Sequence, residues 1–323
     1  MPNYQGVWSL STQYQNRTGW PTKAAPGTVI LGNGSISGAA QSNTITTMSL
    51  PTLGSSSDFG DLTVGRNSFT AVSSSTRGVF IGGWDGSSPR SNVMDYVTIA
   101  SAGNATDFGD ISTGNNYPYG TSNSTRAVFH FGYPGAYSNI LEYITIGSTG
   151  NSTDFGDSTV SAYAGGAVSS STRACFAGGD TSGGRTNVID YVTIASTGNA
   201  TDFGDMYEAV YYMQGGSISS GTYGYFAGGQ NSSNATVNTI QYITIASTGN
   251  ASDYGDLSVT RRWQAQSSNT TRGLSIAGQN GEAYVNSVDY FQLVTSGSGA
   301  DWGDLSNQSS DGAACSDSHG GLS

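Results

Sequence analysis

Three observations predict an all-β fold for this sequence: a six-bladed β-propeller of four-stranded antiparallel blades. The first is a phrase seen in full from Asn187 to Asp205, Asn-Val-Ile-Asp-Tyr-Val-Thr-Ile-Ala-Ser-Thr-Gly-Asn-Ala-Thr-Asp-Phe-Gly-Asp, versions of which occur six times. The second is its spacing. The leading Asn falls at Asn43, Asn92, Asn139, Asn187, Asn238 and Asn286, and the first Asp of the closing Asp-aromatic-Gly-Asp follows 15 residues later at Asp58, Asp107, Asp154, Asp202, Asp253 and Asp301. The copies themselves are 47 to 51 residues apart, and a rigid interior with adjustable remainders at a period near 50 is the mark of propeller blades. The third is that turn-rich clusters cut each repeat into four short runs, the strands of a meander.

The second repeat shows the division. Strand A is expected over Ser68 to Ser73, B over Arg77 to Gly83, C over Val93 to Ala100 and D over Thr106 to Ile111, with Ser/Thr-rich and Gly/Asn-rich turns between A and B and between C and D. The first repeat offers B, C and D (Thr28 to Asn33, Thr44 to Leu50, Ser57 to Leu62) but no A, whereas the chain ends shortly after an A-like run, Gly312 to Ser316. Pairing that run into the first blade closes the ring and removes its open edges. Seven blades are the alternative, with the N-terminal arm and the tail from His319 to Ser323 forming a partial blade. Residues 1–26 lack the repeat, contain Pro2, Pro21 and Pro26, and read as an arm or tether; residues 27–323 read as the propeller.

Composition bounds function mainly by exclusion. Charged residues make up 10%, the formal net charge is -11, and Lys23 is the only lysine, so the clustered cations that nucleic acid requires are missing. No apolar run reaches membrane-spanning length and no start resembles a signal peptide, so a soluble chain with no export address is expected. Cys175 and Cys315 fall in different repeats and read as buried thiols. The abundance of Gly, Ser, Thr and Asn would suggest disorder, but evenly spaced Tyr, Phe, Val and Ile supply every repeat with an apolar pattern that stacked neighbours bury jointly.

Gly82-Gly83 closing strand B, a loop of about ten residues, Tyr96 in strand C and an aromatic in strand D are together similar to the kelch repeat. Phe59, Phe108, Phe155, Phe203, Tyr254 and Trp302 stand where kelch repeats carry Trp. Gly178-Gly179 and Gly228-Gly229 keep the glycine pair, while Gly32-Asn33, Gly132-Tyr133 and Gly278-Gln279 keep its first member. The phrases Asp-Tyr-Val-Thr-Ile-Ala-Ser-Thr-Gly-Asn-Ala-Thr-Asp-Phe-Gly-Asp and Gly-Val-Trp-Ser-Leu-Ser-Thr-Gln-Tyr-Gln resemble those of kelch-like repeat proteins of marine phages, cyanophages above all. The resemblance covers nearly the whole chain. It implies a tail-fibre-like virion protein, made in the host cytoplasm and displayed on the virion surface, whose partners are a host-surface glycan or receptor and other virion proteins.

The variation between copies sorts the loops. In a meander the A-B and C-D connections share one face, and the B-C and D-A connections share the other. The C-D connection never changes length, whereas the B-C and D-A stretches change in both length and identity. The diversified face is therefore the expected binding surface, and it collects Trp84, Tyr117, Tyr119, Tyr133, Tyr163, Tyr207, Tyr211, Tyr212, Arg261, Arg262, Trp263 and Tyr284. Tyr137, Arg66, Arg90, Arg185, Asp85, Asp180 and Glu282 fall on it as well. Rigid rings beside amides and a few charges suit stacking on sugars; some of them alternatively fill the channel or the spaces between blades.

On the opposite face, the Arg that opens strand B and the first Asp of strand D lie at the same blade end. Ion pairs Arg77 with Asp107, Arg126 with Asp154, Arg173 with Asp202 and Arg272 with Asp301 are expected, the arginine reaching carboxylate or turn carbonyls. In the fifth copy Tyr223 replaces the arginine.

No catalytic residues and no cofactor are expected. Calcium on the repeated Asp-x-Gly-Asp is a minor alternative to simple turn capping. Copper chemistry lacks ligands, because His130 and His319 are the only histidines and lie in different repeats. The function expected is non-enzymatic recognition of a host-surface glycan. A purely architectural virion protein and a carbohydrate-active enzyme using two mouth carboxylates are the alternatives.

Overall fold

The computed structural model describes residues 27–322 apart from 38–40, 53, 55, 87–89 and 296; the arm expected over residues 1–26 lies outside the described residues. The described chain is a β-propeller, a ring of antiparallel meanders running A, B, C, D from the axis outward. In the second repeat the strands are Thr70–Ser73, Arg77–Ile81, Val93–Thr98 and Thr106–Asp110. The first repeat combines Thr28–Gly32, Thr44–Ser49 and Ser57–Asp61 with the C-terminal Ala313–Ser316, which pairs antiparallel with Thr28–Gly32. The closure expected from the two chain ends is therefore present. No helix among the described residues is long and apolar enough to cross a membrane.

Five separate four-stranded blades stand among the described residues, not the six or seven expected. They are the first five repeats. The sixth repeat has its four strands, Ala265–Ser268, Arg272–Ile276, Ala283–Gln292 and Ala300–Ser310, but they belong to a larger sheet. Ser35–Ile36 adds to its outer strand, and Gly215–Gly216 adds in parallel to its innermost strand. No seventh meander exists among the described residues, and the tail instead forms a short 3-10 turn, Gly320–Leu322.

Burial follows position in the blade. Innermost strands such as Thr-Ala-Val-Ser, Gly-Ala-Val-Ser and Ala-Ala-Cys-Ser are buried throughout and small, because they converge on the axis. Strand B is buried on both faces between neighbouring blades and is correspondingly apolar, while strand D is mostly exposed apart from its aromatic. Hydrophobic clusters straddle neighbouring repeats all round the ring; one of them joins Leu274, Ile276 and Val288 of the sixth repeat to Val29, Leu31 and Met48 of the first.

The constant C-D spacing has a structural cause. Each C-D pair carries a register shift opposite the Asp-aromatic-Gly-Asp, which turns the aromatic inward. The C-D turn of the next repeat then closes onto it: Gly103 N donates to Phe59 O, Gly150 N to Phe108 O, Gly198 N to Phe155 O and Gly249 N to Phe203 O, at 2.7–2.8 Å. Asn104, Asn151, Asn199 and Asn250 accept from the backbone N–H of Asp61, Asp110, Asp157 and Asp205. Gly156 sits at φ 140° with its α-carbon against the Gly198 carbonyl, so a side chain would meet both backbone strain and a neighbouring blade. An inserted residue in this turn would break the contact.

The expected Arg–Asp pairs do not form. Arg77, Arg126, Arg173 and Arg272 donate instead to the carbonyls of Ile146, Ile194, Ile245 and Leu50 on the next repeat, at 2.7–2.9 Å. Each guanidinium also lies over the strand C tyrosine of its own repeat, Tyr96, Tyr143, Tyr191 or Tyr290, at 4.2–4.8 Å from the ring centre. Asp107, Asp154, Asp202 and Asp301 point to solvent, where water satisfies them, and a guanidinium gains more from a carbonyl and a π-face that are partly shielded. Asp253 and Asp301 accept from the N–H of Gly255 and Gly303 at 3.0–3.1 Å, the turn-capping role. In the fifth repeat Tyr225 takes over the blade-to-blade contact, its hydroxyl donating to Leu293 O.

Candidate functional site

Six residues at one place in the repeat, Ser68, Tyr117, Ala164, Tyr212, Trp263 and Asp311, have φ between 55° and 64°. They precede strand A on the diversified face, and their backbones form a closed collar. Ser68 N donates to Asp311 O, Asp311 N to Trp263 O, Trp263 N to Tyr212 O, Tyr212 N to Ala164 O, Ala164 N to Tyr117 O and Tyr117 N to Ser68 O, at 2.7–3.2 Å. None of the six is glycine, the residue that takes this conformation without strain. Strained non-glycine residues held in one conformation by their surroundings gather at functional sites. Here the strain lets six variable side chains surround one axis.

Behind the collar the channel is shut. The fifth repeat has twelve residues from Tyr212 to Tyr223, where the second has ten from Ser68 to Arg77. The extra length carries Gly215–Gly216 across the axis onto Ala265 and Gln266, and Thr70 Oγ1 donates to Gln214 O at 3.1 Å. A β-carbon on Gly216 would overlap the carbonyl oxygens of Gln266 and Ala314. Deeper lies a belt of serines: Ser73, Ser122, Ser169 and Ser268 donate to the carbonyls of Ser316, Ser73, Ser122 and Ser219 at 2.7–3.1 Å. At the far end His319 Nε2 lies 3.0 Å from Ser73 O. A void beside His319, lined in part by Ser73, Ser122, Ser217, Ser267 and Ser316, is about 10 Å3, room for one water at most. The mouth is thus a floored bowl, not a pore.

Paired loops hold the bowl's wall. Asn67 bridges Trp84, Asn116 bridges Tyr133, Tyr163 bridges Asp180, and Arg262 bridges Gln279, tying the D-A loop to the B-C loop in each case. An arc of rings results. Tyr137 lies 5.8 Å from Tyr133, Tyr133 5.2 Å from Tyr163, Tyr163 5.6 Å from Tyr117, Tyr117 5.7 Å from Tyr212, and Tyr212 4.6 Å from Trp263. Three arginines brace it from the rim: Arg90 over Tyr133, Arg185 over Tyr211 and Arg262 over Trp263, at 4.2–5.1 Å from the ring centres. Arg90 also donates to Asn116 Oδ1, and Arg185 to Tyr211 Oη and Asn234 Oδ1.

The expected binding residues divide accordingly. Tyr117, Tyr133, Tyr163, Tyr212, Trp263 and Arg262 come together. Tyr211 is 7% exposed and supports them, its hydroxyl donating to Gln230 at 2.6 Å. Tyr119 does not belong to the face: two residues past the collar it enters the core, stacked on His130 at 4.6 Å. Arg261 is buried in an ion pair with Asp289 at 3.0 Å, and Arg66 likewise with Asp95 at 2.9 Å, so both serve the fold. Trp84 and Tyr207 are exposed but outside the arc, and Tyr284 sits half-buried on the hairpin of the sixth repeat. The sequence reading missed Asp311 and Ser68. Their signal was positional only, nine residues before the strand B Arg of a repeat or its terminal equivalent.

Burial dominates the electrostatics of the bowl. The Asp311 carboxyl is pushed up to about 7, against 3.8 ordinarily, by burial more than the hydroxyls of Ser310 and Ser68 lower it. Burial, and then the Asp311 charge, raise the Tyr117 phenol to about 12. The phenols of Tyr163 and Tyr212 are also raised, burial first. These three phenols are therefore neutral hydrogen-bonding groups across the physiological range. Neither histidine reaches the mouth: His130 is held near 4 by burial, and His319 is lowered for the same reason. Among the described residues no three His, Cys, Asp or Glu side chains gather as a metal site. The sequence matches no protein-family model, and no curated protein matches it.

Proposed function

We propose that this chain is a non-enzymatic recognition module, a kelch-like propeller that contacts a host-surface glycan through the axial bowl of its diversified face. The observation that carries the reading is the collar, six strained non-glycine positions that hold different side chains around a floored mouth. A scaffold with no ligand has no use for Tyr, Trp and Asp where Gly would be relaxed. Contiguous tyrosine and tryptophan rings next to hydroxyls and amides match the needs of a sugar, apolar on its faces and polar round its edge. The resemblance of the repeat phrases to phage virion proteins supplies the setting, a tail-fibre-like position on a particle. There, weak single contacts would be multiplied by copy number.

The test is glycan-array binding by the purified chain, displayed multivalently, beside a Tyr212→Ala, Trp263→Ala double variant of unchanged melting temperature. Binding that the variant loses supports the reading. A blank array with folded multivalent protein overturns it and favours an architectural role, in which this face meets another virion protein.

A further inference from the structure

The collar carries one carboxyl, Asp311, and the residues around it say what that carboxyl suits. Its oxygens receive hydrogen bonds from Ser68 Oγ at 3.4 Å and Ser310 Oγ at 3.3 Å. Among the described residues no guanidinium or imidazole lies within ion-pair distance of it. Arg262 acts on it only at longer range: that guanidinium is stacked 4.2 Å from the Trp263 ring centre and donates to Gly281 O and Glu282. Arg90 and Arg185 are likewise committed to rings and acceptors on the rim. Next to Asp311 in the collar stand Trp263 on one side and Ser68, then Tyr117, on the other, with Tyr212 beyond Trp263. A carboxylate with no counter-ion within ion-pair distance favours a cation, and the rings that neighbour it in the collar offer the apolar surface on which the body of such a ligand can lie. The net charge of -11 adds a long-range field of the same sign.

We propose that the bowl selects glycans bearing a protonated amine, an amino sugar whose ammonium group meets Asp311 while its ring lies on Trp263 and Tyr117. This rests on the glycan reading above and narrows it. The hydroxyls of Ser68 and Tyr117 orient the sugar, and a neutral or anionic sugar in the same place leaves the carboxyl without a counter-ion.

Isothermal titration separates the two claims. The folded chain is titrated at pH 6.5 and low salt with a glucosamine tetramer carrying free amines and with its N-acetylated counterpart. At that pH the Asp311 carboxyl, pushed up to about 7, gives its proton to buffer as an ammonium docks. The free-amine form binds roughly tenfold tighter, and the gap closes as salt rises. Asp311→Asn, which keeps the side chain's shape, removes the preference; Trp263→Ala weakens both sugars. Equal binding of the two tetramers, or a preference that survives Asp311→Asn, overturns the proposal. Should neutral glycans bind this face on the array while the tetramers bind alike, the glycan reading stands and the amine selection falls. Should array and titration both be blank, both fall.

Discussion

The two faces of this ring use arginine in opposite ways. On the scaffold face Arg77, Arg126, Arg173 and Arg272 repeat one contact, each half-buried on a tyrosine and bound to the next repeat's carbonyl. On the diversified face the arginines serve several contacts: Arg66 and Arg261 form matching buried pairs with Asp95 and Asp289, Arg90 and Arg185 reach rings and polar groups of the loops that follow them, and Arg262 lies on Trp263. The scaffold face holds repeat to repeat with identical small contacts, so it cannot vary. The diversified face repeats its backbone collar, but the side chains carried on that collar differ from repeat to repeat.

The largest effect should come from a buried pair beneath the diversified face. Arg66 and Asp95 have no exposed side-chain surface and lie 2.9 Å apart. Asp95→Ala leaves the guanidinium charged and without its counter-ion, and should cost about 3–5 kcal/mol in denaturant unfolding. A loss below about 1 kcal/mol would mean that the loop above the pair is mobile enough to admit water, and that the contrast between the faces is weaker than drawn.

A pH series sharpens the picture of the collar. Asp311 titrates near 7 when folded and near 3.8 when unfolded, so between those values the folded state holds one more proton. Its contribution to stability is complete below about 4, falls as pH rises through that window, and is level above about 7. The slope is at most about 1.4 kcal/mol per pH unit, reduced by the solvent exposure the group keeps. His130, lowered to about 4 from 6.5, slopes the other way over most of the same range. The readout is therefore wild-type stability minus that of Asp311→Asn, which should fall from pH 4 to pH 7. A flat difference would place the carboxyl in water, not in the bowl.

Much of the architecture was legible because the fold repeats. Six copies with one invariant offset marked the C-D turn, and the structure explains the offset by the hydrogen bonds from Gly103, Gly150, Gly198 and Gly249 to the preceding blade. Strand limits in the second repeat and closure by Ala313–Ser316 followed from the same alignment. What escaped was direction. Tyr117 and Tyr119 are two residues apart, yet the first faces the bowl and the second fills the core, because the positive φ at Tyr117 interrupts strand alternation. The sequence carries no glycine to mark that turn, so the collar was invisible. The plug at Gly215–Gly216 was equally unmarked, since nothing local reveals that two extra residues cross the axis.

The smallest effects test the correction to the scaffold face. Arg173 stands over Tyr191 at 4.2 Å and donates to Ile245 O at 2.8 Å, whereas Asp202, the partner first expected, is exposed at the outer edge. Arg173→Ala should cost about 1–2 kcal/mol, from one charge-assisted hydrogen bond and one cation–π contact. Asp202→Ala should stay within about 0.5 kcal/mol. The coupling in the double variant decides between the two geometries, because an ion pair between them would make the losses non-additive. Additive losses, with the arginine term unmoved by 0.5 M salt while its tyrosine is kept, place that arginine in the seam between blades. The scaffold face is then held by repeated neutral acceptors, which explains how a chain with so few charges keeps a closed ring.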